Sequence, residues 1–235
     1  GVLTLHYAYK SGATLAVSAG AGCGYPEHAP MPLKETDLWA GMPQRESAPY
    51  SLAKRMLHVQ SFAYWDECKF NSIVTIPGNI YGPYDNFDLE GAHVVPALVR
   101  KFVEATDQGL DQVEVWGTGA PTRDFVYAGD VAEGIILAAE RCIVPTLINL
   151  SSGQETSIRQ LVEALAEVSG FTGRIVWDRS RPEGQTRRLF DISRARQELG
   201  WSPRTSLRDG LVKTVNWYRA NHAHARTEMV YPARA

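Results

Sequence analysis

The chain has 235 residues, 44% of them hydrophobic and 21% charged, enough for one large domain or two small ones with a proper core. No stretch approaches the roughly 18 apolar residues of a membrane span, and 24 Lys plus Arg against 26 Asp plus Glu (net charge −2) leave no electrostatic footprint for nucleic acid. Three cysteines at wide, irregular spacing (Cys23, Cys68, Cys142) argue against a disulfide framework or a zinc module, so a reduced, soluble, cytoplasmic protein without metal is expected.

Short apolar runs alternate with amphipathic ones, the pattern of α/β architecture. The opening GVLTLHYAYKSG reads as the end of a helix, with no basic region and long apolar core such as a signal peptide has. Leu15–Ser18 is a short buried strand running into Ala19-Gly20-Ala21-Gly22. Residues 51–65 form a helix with Leu52, Met56, Val59 and Ala63 on one face. A strand over Asn71–Ile76 is stopped by Pro77-Gly78, and a helix covers Val94–Ala105. A strand at Val113–Trp116 leads to the turn Gly117–Pro121, then a short strand at Phe125–Tyr127 and a helix over Asp130–Arg141 whose acidic start suits the helix dipole. Leu147–Leu150 is a strand. Thr156 or Ser157 caps a helix through Val168 that Gly170 ends. Ile175–Asp178 is one more strand, and helices near Ser193–Leu199 and Leu207–Asn221 close the fold. His222 and His224 lie in an Ala-rich tail and read as solvated residues rather than metal ligands.

Tyr50-Ser51-Leu52-Ala53-Lys54 is the most informative segment. Positions i and i+4 share a helix face, so the Tyr50 phenol and Lys54 ammonium can point into one site. A free tyrosine, with a pKa of about 10, is a poor acid–base group; a nearby cation is expected to lower that value and make proton exchange with a carbonyl or hydroxyl feasible. Alone, the pair also fits an amphipathic surface. However, Cys23-Gly24-Tyr25-Pro26 follows the first strand and Pro77–Pro83 follows the second, and open α/β sheets bind ligands beyond the carboxyl ends of strands. Cys23, Tyr50, Lys54 and Asn79 are therefore expected at one sheet edge.

Cys23-x-Tyr-Pro26, Tyr50-x-x-x-Lys54, Asn79-Ile-Tyr-Gly-Pro-Tyr-Asp-Asn-Phe87, His93–Leu98, Val115–Gly119, Arg123-Asp-Phe125 and Arg181-Pro-Glu-Gly184 form an ordered series. In it the chain resembles the extended short-chain dehydrogenase/reductase superfamily of nucleotide-sugar enzymes, its GDP-L-fucose synthase branch most closely, from about Leu5 to Asn221. The resemblance implies 3,5-epimerisation and then 4-keto reduction of a GDP-4-keto-6-deoxyhexose, with NADP(H) as cofactor and NAD(H) as the alternative. It makes Tyr50 the proton donor at C4 and Lys54 both its tuner and a ligand of the nicotinamide ribose. Cys23 and His93 become the acid–base pair at C3 and C5. Pro77, Gly78, Asn79 and Ile80 line the nicotinamide pocket, with Tyr50, Lys54 and His93 also on the cofactor side. Lys101, Trp116, Arg123 and Glu183 fall at nucleotide-sugar-binding positions, where the planar fork of Arg123 suits a diphosphate. Read as isolated residues, Trp116 also fits a core position, Lys101 a solvated charge beside Arg100, and Cys23 an inert buried filler. The family also implies a homodimer paired through the Tyr50 helix and its neighbour.

Two departures stand out. The family places a Ser or Thr two residues before the Cys23 position, where this chain has Ala21; Thr75 and a water are open candidates to substitute, and the reduction is more affected than the epimerisation. No Gly-rich dinucleotide fingerprint appears, because Gly20–Cys23 precedes Tyr25-Pro26 rather than a helix. The expected fold is thus α/β, a Rossmann-like parallel sheet whose N-terminal part is lacking from this chain, with a smaller C-terminal α/β substrate domain. Residues 1–84 belong to the former and 85–221 mainly to the latter, with returning Rossmann segments near 123–150 and a tail over 222–235. The competing readings are an enzyme acting on another GDP-, UDP- or dTDP-sugar, and a truncated homologue that binds without turnover.

Overall fold

The computed structural model describes residues 1–181, 183–222 and 225; His224 of the tail pair lies outside the described residues. In chain order the regular elements are α1 (Val2–Lys10), β1 (Leu15–Ala19), α2 (Ala48–Cys68), β2 (Asn71–Pro77), β3 (Asn79–Tyr81), α3 (Val94–Asp107), β4 (Gln112–Trp116), β5 (Thr122–Arg123), β6 (Phe125–Tyr127), α4 (Ala128–Arg141), β7 (Leu147–Leu150), β8 (Thr156–Ser157), α5 (Ile158–Ser169), β9 (Arg174–Asp178), α6 (Ser193–Leu199) and α7 (Leu207–Asn221). Each expected element is present to within a few residues. None of the described helices is long and apolar enough to cross a membrane.

The chain divides into two compact units, one of Gly1–Ile80, Asp124–Glu155 and Arg188–Arg204, the other of Tyr81–Arg123, Thr156–Arg187 and the chain from Thr205 onward. In the first, β1, β2 and β7 form a parallel sheet in that order, with Ser18 opposite Val74 and Val74 opposite Leu147. Successive side chains point to opposite faces. Ile73, Ile148 and Leu150 meet Val131 and Ala138 of α4 and Ala195, Leu199 and Trp201, whereas Val74, Ile76 and Leu147 meet Tyr25, Leu33, Leu38, Leu57 and Phe190. Burial on both faces is what a parallel sheet requires. The packing of Ala195, Leu199 and Trp201 also explains why 188–204 belongs here and not, as expected, with the substrate domain.

Pro77 and Gly78 end the second strand as expected, and the chain resumes at once as β3, paired with β6, where the Asn79 amide N–H donates to the Asp124 carbonyl at 3.0 Å. The Leu52-Met56-Val59 stripe of α2 does not face the core; these residues are 40–48% exposed. The inner face is instead Ser51, Arg55, Leu57 and Ser61, and the Ser61 hydroxyl reaches Ser72 of β2 at 3.0 Å. Small hydroxylated side chains let the helix lie close on the strand, leaving the apolar stripe outside.

In the second unit, α3, α5 and α7 pack on one another through Val99, Phe102, Leu161, Leu165, Leu211 and Val215. A reciprocal capping box between Ser157 and Gln160 starts α5, and Gly170 ends it in a left-handed conformation. β4 and β9 pair in parallel with Trp116 opposite Asp178, and β5 pairs antiparallel with β8. Alternation along β4 buries Val113 and Val115 and turns Trp116 outward.

Candidate active site

In the first unit, three segments converge at the carboxyl end of β1. The chain leaves the strand through a single 3-10 turn at Gly22–Gly24, not the opening of an α-helix. Gly22 is required there, since a Cβ would come within 2.6 Å of the Phe190 ring. The Ser51 hydroxyl donates to the Cys23 carbonyl at 2.9 Å, and Arg55 Nε donates to the Gly24 carbonyl at 2.6 Å. These bonds fasten the turn to α2 and bring Cys23 beside Tyr50, which is 56% exposed. One helical turn on, Lys54 Nζ lies 5.7 Å from the centre of the Tyr50 ring and donates to the Ala19 carbonyl at 2.8 Å.

The expected tuning of Tyr50 is not what this arrangement produces. Partial burial, then the neighbouring Cys23, push its phenol above the usual value, while Lys54 directs its ammonium to the Ala19 carbonyl. Tyr50 is accordingly protonated throughout the neutral range, the state in which it can donate.

Asn79 belongs to a separate lock. Its backbone N–H and side-chain Nδ2 both donate to the Asp124 carbonyl, at 3.0 and 3.1 Å. The Asp124 carboxylate is fully buried and accepts from the backbone N–H groups of Ser152, Gly153 and Phe190 and from the Ser152 hydroxyl. Burial pushes it up, and the side chains of Ser151 and Ser152 with the backbone N–H groups of Phe190 and Ser152 hold it down in part. Gly78 fits tightly in the same corner, where a Cβ would collide with the Ser151 hydroxyl. Pro77–Ile80 is therefore a fixed wall, with Ile80 38% exposed.

Thr75 cannot replace the hydroxyl absent at Ala21. It is fully buried and, opposite Ala19 in the register, shares the Ile73 face of the sheet, away from α2. On the α2 face, Ser18 of β1 lies opposite Val74, and the Ser72 hydroxyl is bonded to Ser61.

The second unit gathers the remaining candidates. Trp116 is 51% exposed, which rules out its reading as a core residue. Lys101 Nζ lies 5.6 Å and the Arg181 guanidinium 5.0 Å from the centre of a Trp116 ring, close enough for cation–π attraction. Lys101 is further held by a 3.1 Å bond to the Glu114 carbonyl, so it is not a freely solvated charge. Arg123 donates to the Thr122 carbonyl at 2.7 Å and to the Glu183 carbonyl at 3.4 Å, and burial pushes its guanidinium down from the usual value. The Glu183 carboxylate accepts from the Thr118 backbone N–H and hydroxyl, which hold it below its usual range. His93, also in this unit, is exposed at the N-cap of α3.

Sequence reasoning left out Ser51, Arg55, Asp124, Thr118 and Arg181 as participants. Their partners are mostly backbone carbonyls and amides distant in sequence, which leave no motif. Ser51, Thr118, Asp124 and Arg181 lie within quoted motifs, and Arg55 directly after one, but nothing in those motifs marks these contacts.

With this geometry in hand, the likeness to known proteins is informative. The chain is 40% identical over 217 residues to GDP-L-fucose synthase 1 of Arabidopsis thaliana, covering 92% of this chain and 67% of that protein. It is likewise 40% identical over 207 residues to the probable GDP-L-fucose synthase 1 of rice, Oryza sativa subsp. japonica, covering 88% and 63%. It thus spans about two thirds of the length of these relatives. The crystal structure of a GDP-L-fucose synthetase from Naegleria fowleri bound to NADP superposes with a TM-score of 0.88 at 28% identity, covering 95% of this chain and 71% of that one. The family described as "NAD dependent epimerase/dehydratase family" matches residues 2–150, and the chain belongs to that family.

Proposed function

We propose that the chain carries the acid–base and nucleotide-sugar-binding parts of an NADP(H)-dependent epimerase/reductase of the GDP-L-fucose synthase kind, acting on a GDP-4-keto-6-deoxyhexose. The observation that carries this reading is the convergence of Cys23, Tyr50 and Lys54 at the end of β1. Tyr50, raised above its usual pKa, donates the proton to the C4 oxygen as that oxygen becomes a hydroxyl. Cys23 and His93 move the protons at C3 and C5. Trp116, Lys101, Arg123 and Glu183 hold the nucleotide: an aromatic face, two cations for the diphosphate and a carboxylate for base N–H groups.

The donor set at Tyr50 and Lys54 fits the nicotinamide end of a dinucleotide. A phenol and an ammonium one helical turn apart match a carbonyl oxygen and a ribose diol, and the rigid Pro77–Ile80 wall offers a flat flank. The cofactor, when bound, supplies hydride. For the pyrophosphate, the sequence contains no Gly-rich cradle.

The exposed Leu52, Met56, Val59 and Phe62 on α2 support a homodimer, and three unpaired cysteines suit the reducing cytoplasm. A second reading, epimerisation without reduction, draws support from Ala21, which offers no hydroxyl beside Tyr50. One experiment separates them: the purified protein is given GDP-4-keto-6-deoxymannose with NADPH in deuterated water. NADPH oxidation together with deuterium at C3 and C5 is the result expected. Deuterium without oxidation leaves the second reading, and neither signal overturns both.

A further inference from the structure

Cys23 is partly exposed and stands between two glycines, Gly22 and Gly24, in a stretch with little stiffness of its own. The chain is anchored on either side, by the Gly20 N–H bonded to the Thr75 carbonyl at 2.7 Å and by the buried Tyr25. Inside the turn, the Gly24 N–H donates to the Ala21 carbonyl at 2.9 Å, a bond that shapes the turn without tying it to α2. Two side chains of α2 supply that tie. The fully buried Ser51 donates its hydroxyl to the Cys23 carbonyl at 2.9 Å, and Arg55 Nε, one helical turn on, donates to the Gly24 carbonyl at 2.6 Å.

Arg55 reaches further. It is 5% exposed, and its donors meet main-chain carbonyls rather than a carboxylate. Its Nη1 donates to the Gly41 carbonyl at 2.9 Å, and its guanidinium stacks 5.3 Å from the centre of a Trp39 ring. One rigid planar fork thus holds two separate segments, at Gly24 and at Gly41. Burying a guanidinium without a counter-charge is costly, and an apolar side chain of similar length would avoid that cost. The fork is explained by what it holds, not by core packing. Tyr50 and Lys54 do not share this dependence on the turn, since both are borne on α2 itself.

We propose that Arg55, with Ser51, is a positioning residue for Cys23, holding the thiol where it can work on the sugar carbons beside the ketone before Tyr50 completes the reduction. This role presupposes the acid–base parts assigned to Cys23 and Tyr50 under the proposed function. It separates the two halves of the reaction. With the clamp removed, Cys23 loosens while Tyr50 stays on its helix, so exchange at C3 and C5 slows more than reduction. A ketone reduced early keeps its original hydrogens, because a C–H beside an alcohol is no longer acidic.

The decisive quantity is a product ratio, which does not depend on how much of a variant is active. GDP-4-keto-6-deoxymannose and NADPH are supplied in deuterated water, and the reduced sugar is scored by NMR for protium or deuterium at C3 and C5. The unaltered protein should give sugar deuterated at both positions. Arg55→Met should slow exchange about 10–100-fold, the loss that a displacement of about 1 Å brings, and turn the product toward sugar that keeps protium at C3 or C5. Ser51→Ala should shift the ratio the same way by about 3–10-fold, the scale of one neutral hydrogen bond. Ser61→Ala removes another buried hydroxyl of α2, one bonded to Ser72 and not to the turn, and should leave the ratio unmoved. An unmoved ratio in Arg55→Met overturns the positioning role alone, as does an equal shift in Ser61→Ala. Should Arg55→Met fail to fold, an unmoved ratio in Ser51→Ala overturns it instead. No reduced sugar from the unaltered protein overturns the proposed function, and the positioning role with it.

Discussion

The two units place functional side chains by different mixtures of contacts. In the first, Tyr50, Lys54 and Cys23 are fixed through backbone carbonyls: Ser51 to Cys23, Arg55 to Gly24, Lys54 to Ala19. In the second, Lys101 and Arg181 stand over the half-exposed Trp116 ring, and backbone carbonyls hold Lys101 (Glu114) and Arg123 (Thr122 and Glu183) only at their own positions. Proton transfer requires atoms placed to within a fraction of an ångström, which a lattice of carbonyl bonds supplies. Recognition of a charged nucleotide tolerates adaptable side chains, and cations already gathered at Trp116 lose less freedom on binding.

The contrast can be broken most sharply at Tyr50. Tyr50→Phe keeps the ring and its packing and removes the proton, so kcat for NADPH oxidation should fall by about 10²–10⁴ with KM little changed. An undiminished kcat would remove Tyr50 from the chemistry. Ala21→Ser tests the same region in the opposite direction. A restored hydroxyl next to the turn should raise kcat for reduction by up to about 10², since lost donors of this kind cost about 10²–10³. An unchanged rate would mean that the donor is supplied from elsewhere, Ser18 being the β1 hydroxyl on the α2 face of the sheet.

In the second unit the same size of change should appear in KM. Arg123→Leu removes a charge-assisted donor and should raise KM for the nucleotide-sugar about 10–100-fold at nearly constant kcat. Trp116→Ala, at a half-exposed position, should weaken binding about 3–10-fold and leave the unfolding midpoint almost unmoved. If Trp116→Ala lowered kcat as strongly as Tyr50→Phe, the division between placing and recognising would not hold.

The same difference explains what could be read from the sequence. Element types and order were legible nearly throughout, because periodicity, Gly170 as a stop and Ser157 as a cap are local signals. Tyr50 and Lys54 were legible as a pair because helix spacing alone brings them together. The direction of the Tyr50 shift was not, since it comes from partial burial and then the nearness of Cys23, both of which only the fold sets. Arg55 escaped for the same reason, both its acceptors being main-chain. The outward apolar stripe of α2 shows a further limit: periodicity identifies a face without saying whether the core or a partner covers it. Asp124 was quoted in a motif, yet its work is done through Asn79, Ser152, Gly153 and Phe190, which only the fold assembles around it.

Alkaline unfolding gives the smallest and most selective comparison. Each unit buries a tyrosine whose phenol is pushed up: Tyr25 in the first, by burial and then by Glu35, and Tyr218 in the second, to about 12, by burial and then its bond to Glu104. A tyrosine with a raised pKa stabilises the fold fully below the unfolded value of about 10, and that contribution is lost as pH rises through the folded value. Tyr218→Phe should therefore cost most below pH 10, where the 3.0 Å bond to Glu104 is intact. The gap from the unaltered protein should narrow as pH climbs from about 10 to 12, because only the unaltered protein has that phenol to lose. Tyr25→Phe removes the bond to Asn149; its gap should also begin to narrow at about pH 10, where the unfolded phenol ionises, and go on narrowing past the pH at which the Tyr218 gap levels off, because burial and then Glu35 push the Tyr25 phenol higher. Urea midpoints of the three proteins between pH 8 and about pH 12 measure both gaps; a Tyr218→Phe gap that stayed constant from pH 10 to about 12 would mean that the folded protein does not raise that phenol.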